Sequence, residues 1–220
     1  MGEYIKKALK FYDIRFENIT PVIFSAILFV SFTGVFYPEW SPETAFLIIV
    51  LNILSVFVIN IVSAVYLYAA IQDLKGTPTS LSNAFKIVIS KIHVILTASI
   101  VLLIMTAAGF LLLLIPGIII YITYIFNLCY ITDKNSGFLT AFRKSSKLTK
   151  GRKMELFAIV FVLNIVLGIP SAFIMLMAGS SPNPLIFNFV IAFVAAITSL
   201  MLHKLTALMY FDLEYGSSKK

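Results

Sequence analysis

Six apolar runs, separated by short polar connections, fill almost the whole chain between Ile19 and Leu202. They lie at about 19–36, 44–71, 92–115, 118–132, 154–177 and 185–202, and the only Asp, Glu, Lys or Arg inside them is Glu155, at the start of the fifth. At about 1.5 Å of rise per residue, most are long enough to cross a hydrocarbon layer of about 30 Å. Of 220 residues, 60% are hydrophobic and 12% charged, so a soluble core of this size could not enclose the apolar surface. The expected fold class is an all-α integral membrane protein, with residues 1–220 forming one polytopic domain. The second run exceeds the layer and is expected to tilt or protrude. The first ends in Phe36-Tyr37-Pro38, not in a small-residue cleavage site, and reads as a retained span rather than a signal peptide. Tyr37 and Trp40 beyond it suit an interfacial aromatic belt.

The stretch from Leu114 to Lys153 decides the topology. One helix from His93 to Ile131 would measure about 58 Å, leaving nearly half of it apolar and in water. A turn at Pro116-Gly117 divides it into two spans, and the chain becomes six transmembrane helices in three hairpins. The connections at 73–91 and 133–153 then share one side with both termini, and all 17 Lys and Arg fall on it. The opposite side carries only Glu39 and Glu43. By the positive-inside rule both termini are cytoplasmic, in a multi-pass cell-membrane protein. Five spans would place the basic 133–153 run outside.

Three segments on the basic side are too polar to span and have apolar residues at helical spacing: 1–18, the stretch from Thr79 or Ser80 to Lys91, and 133–153. They read as amphipathic interfacial helices. The helices share Ala8-Leu9-Lys10, Ala84-Phe85-Lys86 and Ala141-Phe142-Arg143. Each hairpin ends in an aspartate (Asp73, Asp133, Asp212), and each outer turn holds a proline (Pro38, Pro116, Pro182). Three copies in one orientation would make a pseudo-threefold internal repeat about the membrane normal.

The aspartates fall at helix C-termini, where the dipole disfavours negative charge. Pairing with Lys or Arg of neighbouring interfacial helices would offset this, so Asp73, Asp133 and Asp212 are candidate structural ion pairs. The alternative joins them with His93 and His203 in a metal or acid–base centre, which no motif spacing supports. Arg143, Lys144, Lys147, Lys150, Arg152 and Lys153 form a basic strip with no acid before Glu155, and Phe138, Phe142 and Leu148 share its other face. These cations are the candidate headgroup contacts, with the bilayer and the anionic lipids of its cytoplasmic leaflet as partners. The strip is small and lacks an aromatic platform, which argues against nucleic acid. Within the spans, Asn52, Ser55, Asn60 and Ser63 share a face, and Asn127, Asn164 and Thr198 add single polar positions suited to interhelical hydrogen bonds. Gly109, Gly168 and Gly179 suggest close helix contacts or helix ends. The lone Cys129 has no disulfide partner, and no Walker loop, G-x-S-x-G, H-E-x-x-H or C-x-x-C occurs, so neither a catalytic site nor a cofactor is expected.

Ile115-Pro116-Gly117, Asp133, Ala141-Phe142-Arg143-Lys144-Ser145 and Leu148-Thr149-Lys150-Gly151 occur in an order that resembles the membrane domain attached to some bacterial glycerophosphodiester phosphodiesterases, and related uncharacterised six-helix prokaryotic proteins. The resemblance covers about residues 110–157. That family's catalytic barrel is absent, so no catalytic residue carries over, and the resemblance implies a membrane domain alone. The expected function is a non-enzymatic module that binds lipid or supports assembly. A small transporter or lipid-translocating protein is the alternative, and a membrane enzyme acting on lipid headgroups is the third reading.

Overall fold

The computed structural model describes residues 2–12, 19–33, 41–179 and 184–216. These form α1 (Gly2–Leu9), α2 (Ile19–Phe32), α3 (Ala45–Leu74), α4 (Leu81–Ser90), α5 (Ile92–Leu112), α6 (Leu114–Tyr124), α7 (Asn127–Lys134), α8 (Phe138–Thr149), α9 (Lys153–Gly179) and α10 (Pro184–Tyr215), with no strand among the described residues. Five stretches are long and apolar enough to cross a membrane: α3, α5, the near-continuous Leu114–Asp133, α9 and Leu185–Tyr215. Helix α2 is apolar but has 14 residues, a rise of about 21 Å. The rest of the expected first span, with Tyr37, Pro38 and Trp40, lies outside the described residues, as does Pro182.

Burial is concentrated at one end of the helices. In α3 nearly every side chain from Val62 to Ile71 is buried, whereas Phe46 near its start is 78% exposed. Helix α10 repeats this, with Leu205 and the run Ala207–Tyr210 buried and Leu185, Ile186 and Phe189 exposed. The exposed halves are apolar, as lipid-facing surface must be. At the buried end, α1 lies against α9 and α10, α4 against α3, and α8 against α5, α6 and α7. Helices α2, α3 and α10 pack on one another.

The turn between α5 and α6 falls at Leu113, three residues before the expected Pro116-Gly117. Leu113 is extended (φ −166°, ψ 152°), and its N–H donates to the Gly109 carbonyl at 3.1 Å. The position follows from two glycines equidistant from it. A Cβ on Gly109 would stand 2.9 Å from the Gly117 Cα, so the two backbones meet where neither residue has a side chain. Pro116 consequently lies in the first turn of α6, where a missing N–H leaves no hydrogen bond unmade.

Between α6 and α7 the helix breaks at Ile125-Phe126, freeing backbone groups that lipid cannot satisfy. Helix α8 satisfies them. The Ser145 hydroxyl donates to the Thr123 carbonyl at 2.9 Å and accepts from the Phe126 N–H at 3.2 Å, and Thr149 also donates to Thr123 at 3.3 Å. Ser145 and Thr149, one turn apart and fully buried, thus fix α8 on the break. Helix α4 starts from Ser80, whose side chain accepts from the Asn83 N–H at 3.2 Å. Tyr66 of α3 holds the end of the α1 segment by donating to the Phe11 carbonyl at 2.9 Å.

Candidate functional site

The centre of the buried end is Asp133, at the C-terminus of α7. Its side chain is 0% exposed and forms an ion pair with Lys75, the residue that caps α3. Two hydroxyls complete the carboxylate, Tyr210 at 3.0 Å and Tyr215 at 2.5 Å, both on Oδ2. Lys91, just before α5, donates to the carbonyls of Ile131 and Thr132 at 3.1 Å each, neutralising the α7 C-terminus that disfavours Asp133. Beside this knot, Glu214 accepts from the Tyr130 hydroxyl at 2.6 Å and lies 3.6 Å from Lys134. The Tyr215 ring faces the ammonium groups of Lys75 and Lys134, at 4.9 and 4.5 Å. Burial alone would lower the Lys75 pKa, but the Asp133 carboxylate and Tyr215 hydroxyl outweigh it and hold the group above its ordinary value. Burial does prevail at Lys91, which is lowered despite Asp133.

The other two aspartates are placed differently. Asp73 is half-buried, with an Oδ1 that has no hydrogen-bond partner. Asp212 is exposed and lies beside α1, where burial and then the Asp212 carboxylate push the Tyr4 hydroxyl up to about 12. The cation that meets Asp133 comes from the end of α3, not from an interfacial helix. His93 is exposed, while His203 lies in α10 with Nδ1 against the Ser199 carbonyl. No group of three or more His, Cys, Asp or Glu able to hold a metal occurs among the described residues. The tyrosines and Glu214 were not singled out in the sequence. The available signal was the pair Tyr210 and Glu214, one helical turn apart at the end of an apolar run.

On α8, Arg143, Lys144 and Lys147 are exposed, as are Lys150 and Arg152 beyond it, and Lys153 is half-buried at the start of α9. Lys144 reaches back to the Ser136 hydroxyl at 3.4 Å and over the Tyr130 ring at 5.6 Å. None of the six forms a salt bridge among the described residues, where the ion pairs are Lys7 with Glu3, Lys75 with Asp133 and Lys134 with Glu214. Arg143 and Lys147 also flank a cleft of about 470 Å³ between α5, α6 and α8. Its walls are Val101, Met105, Tyr124, Phe138 and Phe142, with Ser146 near the two cations. An apolar slot with a cationic margin suits an anion that carries a hydrocarbon chain.

A second kind of site lies within the spans. A cavity of about 490 Å³ between α6, α9 and α10 is lined by Tyr121, Asn164, Ser171, Thr198, Ser199 and His203, among others. A smaller one, about 230 Å³, includes Asn60, Ser99, Thr106, Tyr121 and Asn127. In the smaller cavity Ser99 Oγ, Thr106 Oγ1 and Asn127 Nδ2 have no hydrogen-bond partner. Where these polar side chains do bond, most bond their own helix: Asn52 to Ile48, Asn60 to Val56 and Asn164 to Val160, each at 2.8 Å. These three asparagine amides bond within their own helix and not across helices as their spacing had suggested.

Five helices of membrane-spanning length and apolarity, closed at one end by a buried ionic layer, define a helical multi-pass membrane protein. The chain matches no protein-family model, no curated protein and no solved structure.

Proposed function

We propose that this protein is a non-enzymatic membrane module that binds anionic phospholipid in the cleft beneath α8. The observation that carries the reading is the coincidence of Arg143 and Lys147, free of carboxylate partners among the described residues, with the margin of an apolar slot. A phosphate would meet the two cations and the Ser146 hydroxyl, and an acyl chain would follow Val101, Met105 and Phe142 between the helices. Lys144, Lys150, Arg152 and Lys153 extend the same positive surface, each adding about 1 kcal/mol of attraction to an anionic leaflet. The basic end is then the cytoplasmic one, α2 belongs to a sixth span, and both termini are cytoplasmic. The buried layer around Asp133 keeps α3, α7 and α10 in place so that α8 has a rigid seat.

The test is lipid retention by the full chain purified in neutral detergent, measured by native mass spectrometry with phosphatidylglycerol or phosphatidylcholine. Phosphatidylglycerol should be retained preferentially, and Arg143→Gln with Lys147→Gln should weaken its binding by about 2 kcal/mol. Equal retention of both lipids, or no effect of the two substitutions, would refute the reading.

Transport of a small molecule or lipid is the second reading. It is favoured by the cavity that gathers Asn164, Ser171 and His203 among spans that are otherwise apolar.

A further inference from the structure

Helix α4 covers a cleft of about 710 Å³ against α2 and α3. On α4 that cleft is lined by Leu81, Ser82, Phe85, Lys86 and Ile89. On α8 the cleft described above is lined by Phe138, Leu139, Phe142, Arg143 and Ser146, with Lys147 in addition. Aligning the buried alanines Ala84 and Ala141 places these two sets in register, position for position. Leu81 falls on Phe138, Phe85 on Phe142, and Lys86 on Arg143. Both alanines are 0% exposed, as is Ala8 of α1, so each helix is seated on its neighbours through the same small residue. The settings correspond too. Helix α4 rests on α3 and faces α2 across the cleft, α8 rests on α5 and α6, and α1 rests on α9 and α10. Helices α4 and α8 therefore turn the same face to a cleft and hold the residue two positions after the alanine, Lys86 or Arg143, among its lining.

We infer that the α2–α3–α4 cleft is a second anionic phospholipid site, equivalent to the α8 cleft through an internal repeat, with Lys86 holding the phosphate and Phe85 and Ile89 lining the acyl chain. The inference rests on the lipid-binding reading above. The remaining wall is entirely aliphatic (Val22, Ile23, Ala26 and Val62), which suits a hydrocarbon chain and gives a polar solute nothing to bond. Lys86 has no salt-bridge partner among the described residues, so its charge is available to a headgroup. Where α8 supplies two cations, α4 supplies one, since Ser90 occupies the position corresponding to Lys147. The α4 site should accordingly be the weaker of the two.

The experiment counts bound lipids on the full chain by native mass spectrometry during titration with phosphatidylglycerol, with phosphatidylcholine as the neutral arm. Two phosphatidylglycerol molecules should be retained, the second roughly fivefold more weakly, in proportion to one fewer basic contact. Lys86→Gln should remove the weaker lipid and leave the tighter one, and Lys86→Arg should retain both. Arg143→Gln with Lys147→Gln should instead remove the tighter one. Circular dichroism of each variant establishes that it is folded. A wild-type stoichiometry of one, lost only with Arg143 and Lys147, would overturn this inference while leaving the α8 site standing. Two lipids unaffected by Lys86→Gln, or equal retention of phosphatidylcholine, would overturn it as well. Retention of no lipid at all would end both readings.

Discussion

Replacing Asp133 by asparagine should be among the most damaging isosteric changes in this chain. The carboxylate receives Lys75 on Oδ1 and both Tyr210 and Tyr215 on Oδ2, with none of its own side chain exposed. An amide has one accepting oxygen. If that oxygen faces the tyrosines, the Lys75 ammonium meets an NH₂ group; if it faces Lys75, two hydroxyls lose their acceptor. A buried donor left without a partner costs about 1–3 kcal/mol, and breaking a buried ion pair by removing one member costs about 3–5 kcal/mol. Lys75 retains 24% side-chain exposure and can recover some hydration, so the expected loss is about 3–4 kcal/mol. The assay is reversible unfolding in mixed micelles by sodium dodecyl sulfate, followed by far-ultraviolet circular dichroism. The cycle is completed by Lys75→Met alone and with Asp133→Asn. In the double variant the amide oxygen can serve the tyrosines with no ammonium to satisfy, so it should lose about 2 kcal/mol less than the sum of the singles. The Lys75 pKa is held above its ordinary 10.5, so this coupling should be fully present below that pH and lost only as pH rises past it. Measurements at pH 7 and pH 9 should therefore agree. A loss below about 1 kcal/mol for Asp133→Asn, or one unchanged in the Lys75→Met background, would refute the reasoning.

Two further outcomes follow from the geometry. A Cβ on Gly117 would stand 2.6 Å from the Phe110 ring, so Gly117→Ala should destabilise the α5–α6 turn by about 1–3 kcal/mol, and adding Phe110→Ala should remove most of the penalty. The same rescue should fail for Gly109→Ala, whose Cβ would meet the Gly117 backbone at 2.9 Å, and thermal unfolding in detergent measures both. For the topology, a cysteine replacing Gly137, where a Cβ meets open space, should react with an impermeant thiol reagent only after cells are opened, whereas one at Ser41 should react in intact cells. Cys129 is fully buried and should stay silent in both; labelling of the Gly137 variant in intact cells would exclude the six-span arrangement.

Helical class and membrane residence were legible in the sequence because both depend on local quantities. Runs of apolar residues with no internal charge leave the backbone only itself to bond with in lipid, and that requirement makes helices without reference to distant residues. The basic strip on α8 was legible for the same reason: charge and spacing along one helix are linear properties. The position of the α5–α6 turn was not. Pro116-Gly117 is the strongest local turn signal, yet the turn lies where Gly109 and Gly117 come to face each other, a condition met only once two helices have packed. Asp133 likewise announced a charge in need of an offset. That Lys75, Tyr210 and Tyr215 supply it, from residues 58 to 82 positions away, is decided by the convergence of α3, α7 and α10. Ser145 and Thr149 look like ordinary polar residues of a basic helix until α6 breaks beneath them. The clefts under α4 and α8 are spaces between elements and have no representation in one dimension. Composition and periodicity determine which segments are apolar enough to enter a membrane, while counter-charges, turn positions and clefts arise only where separate segments meet.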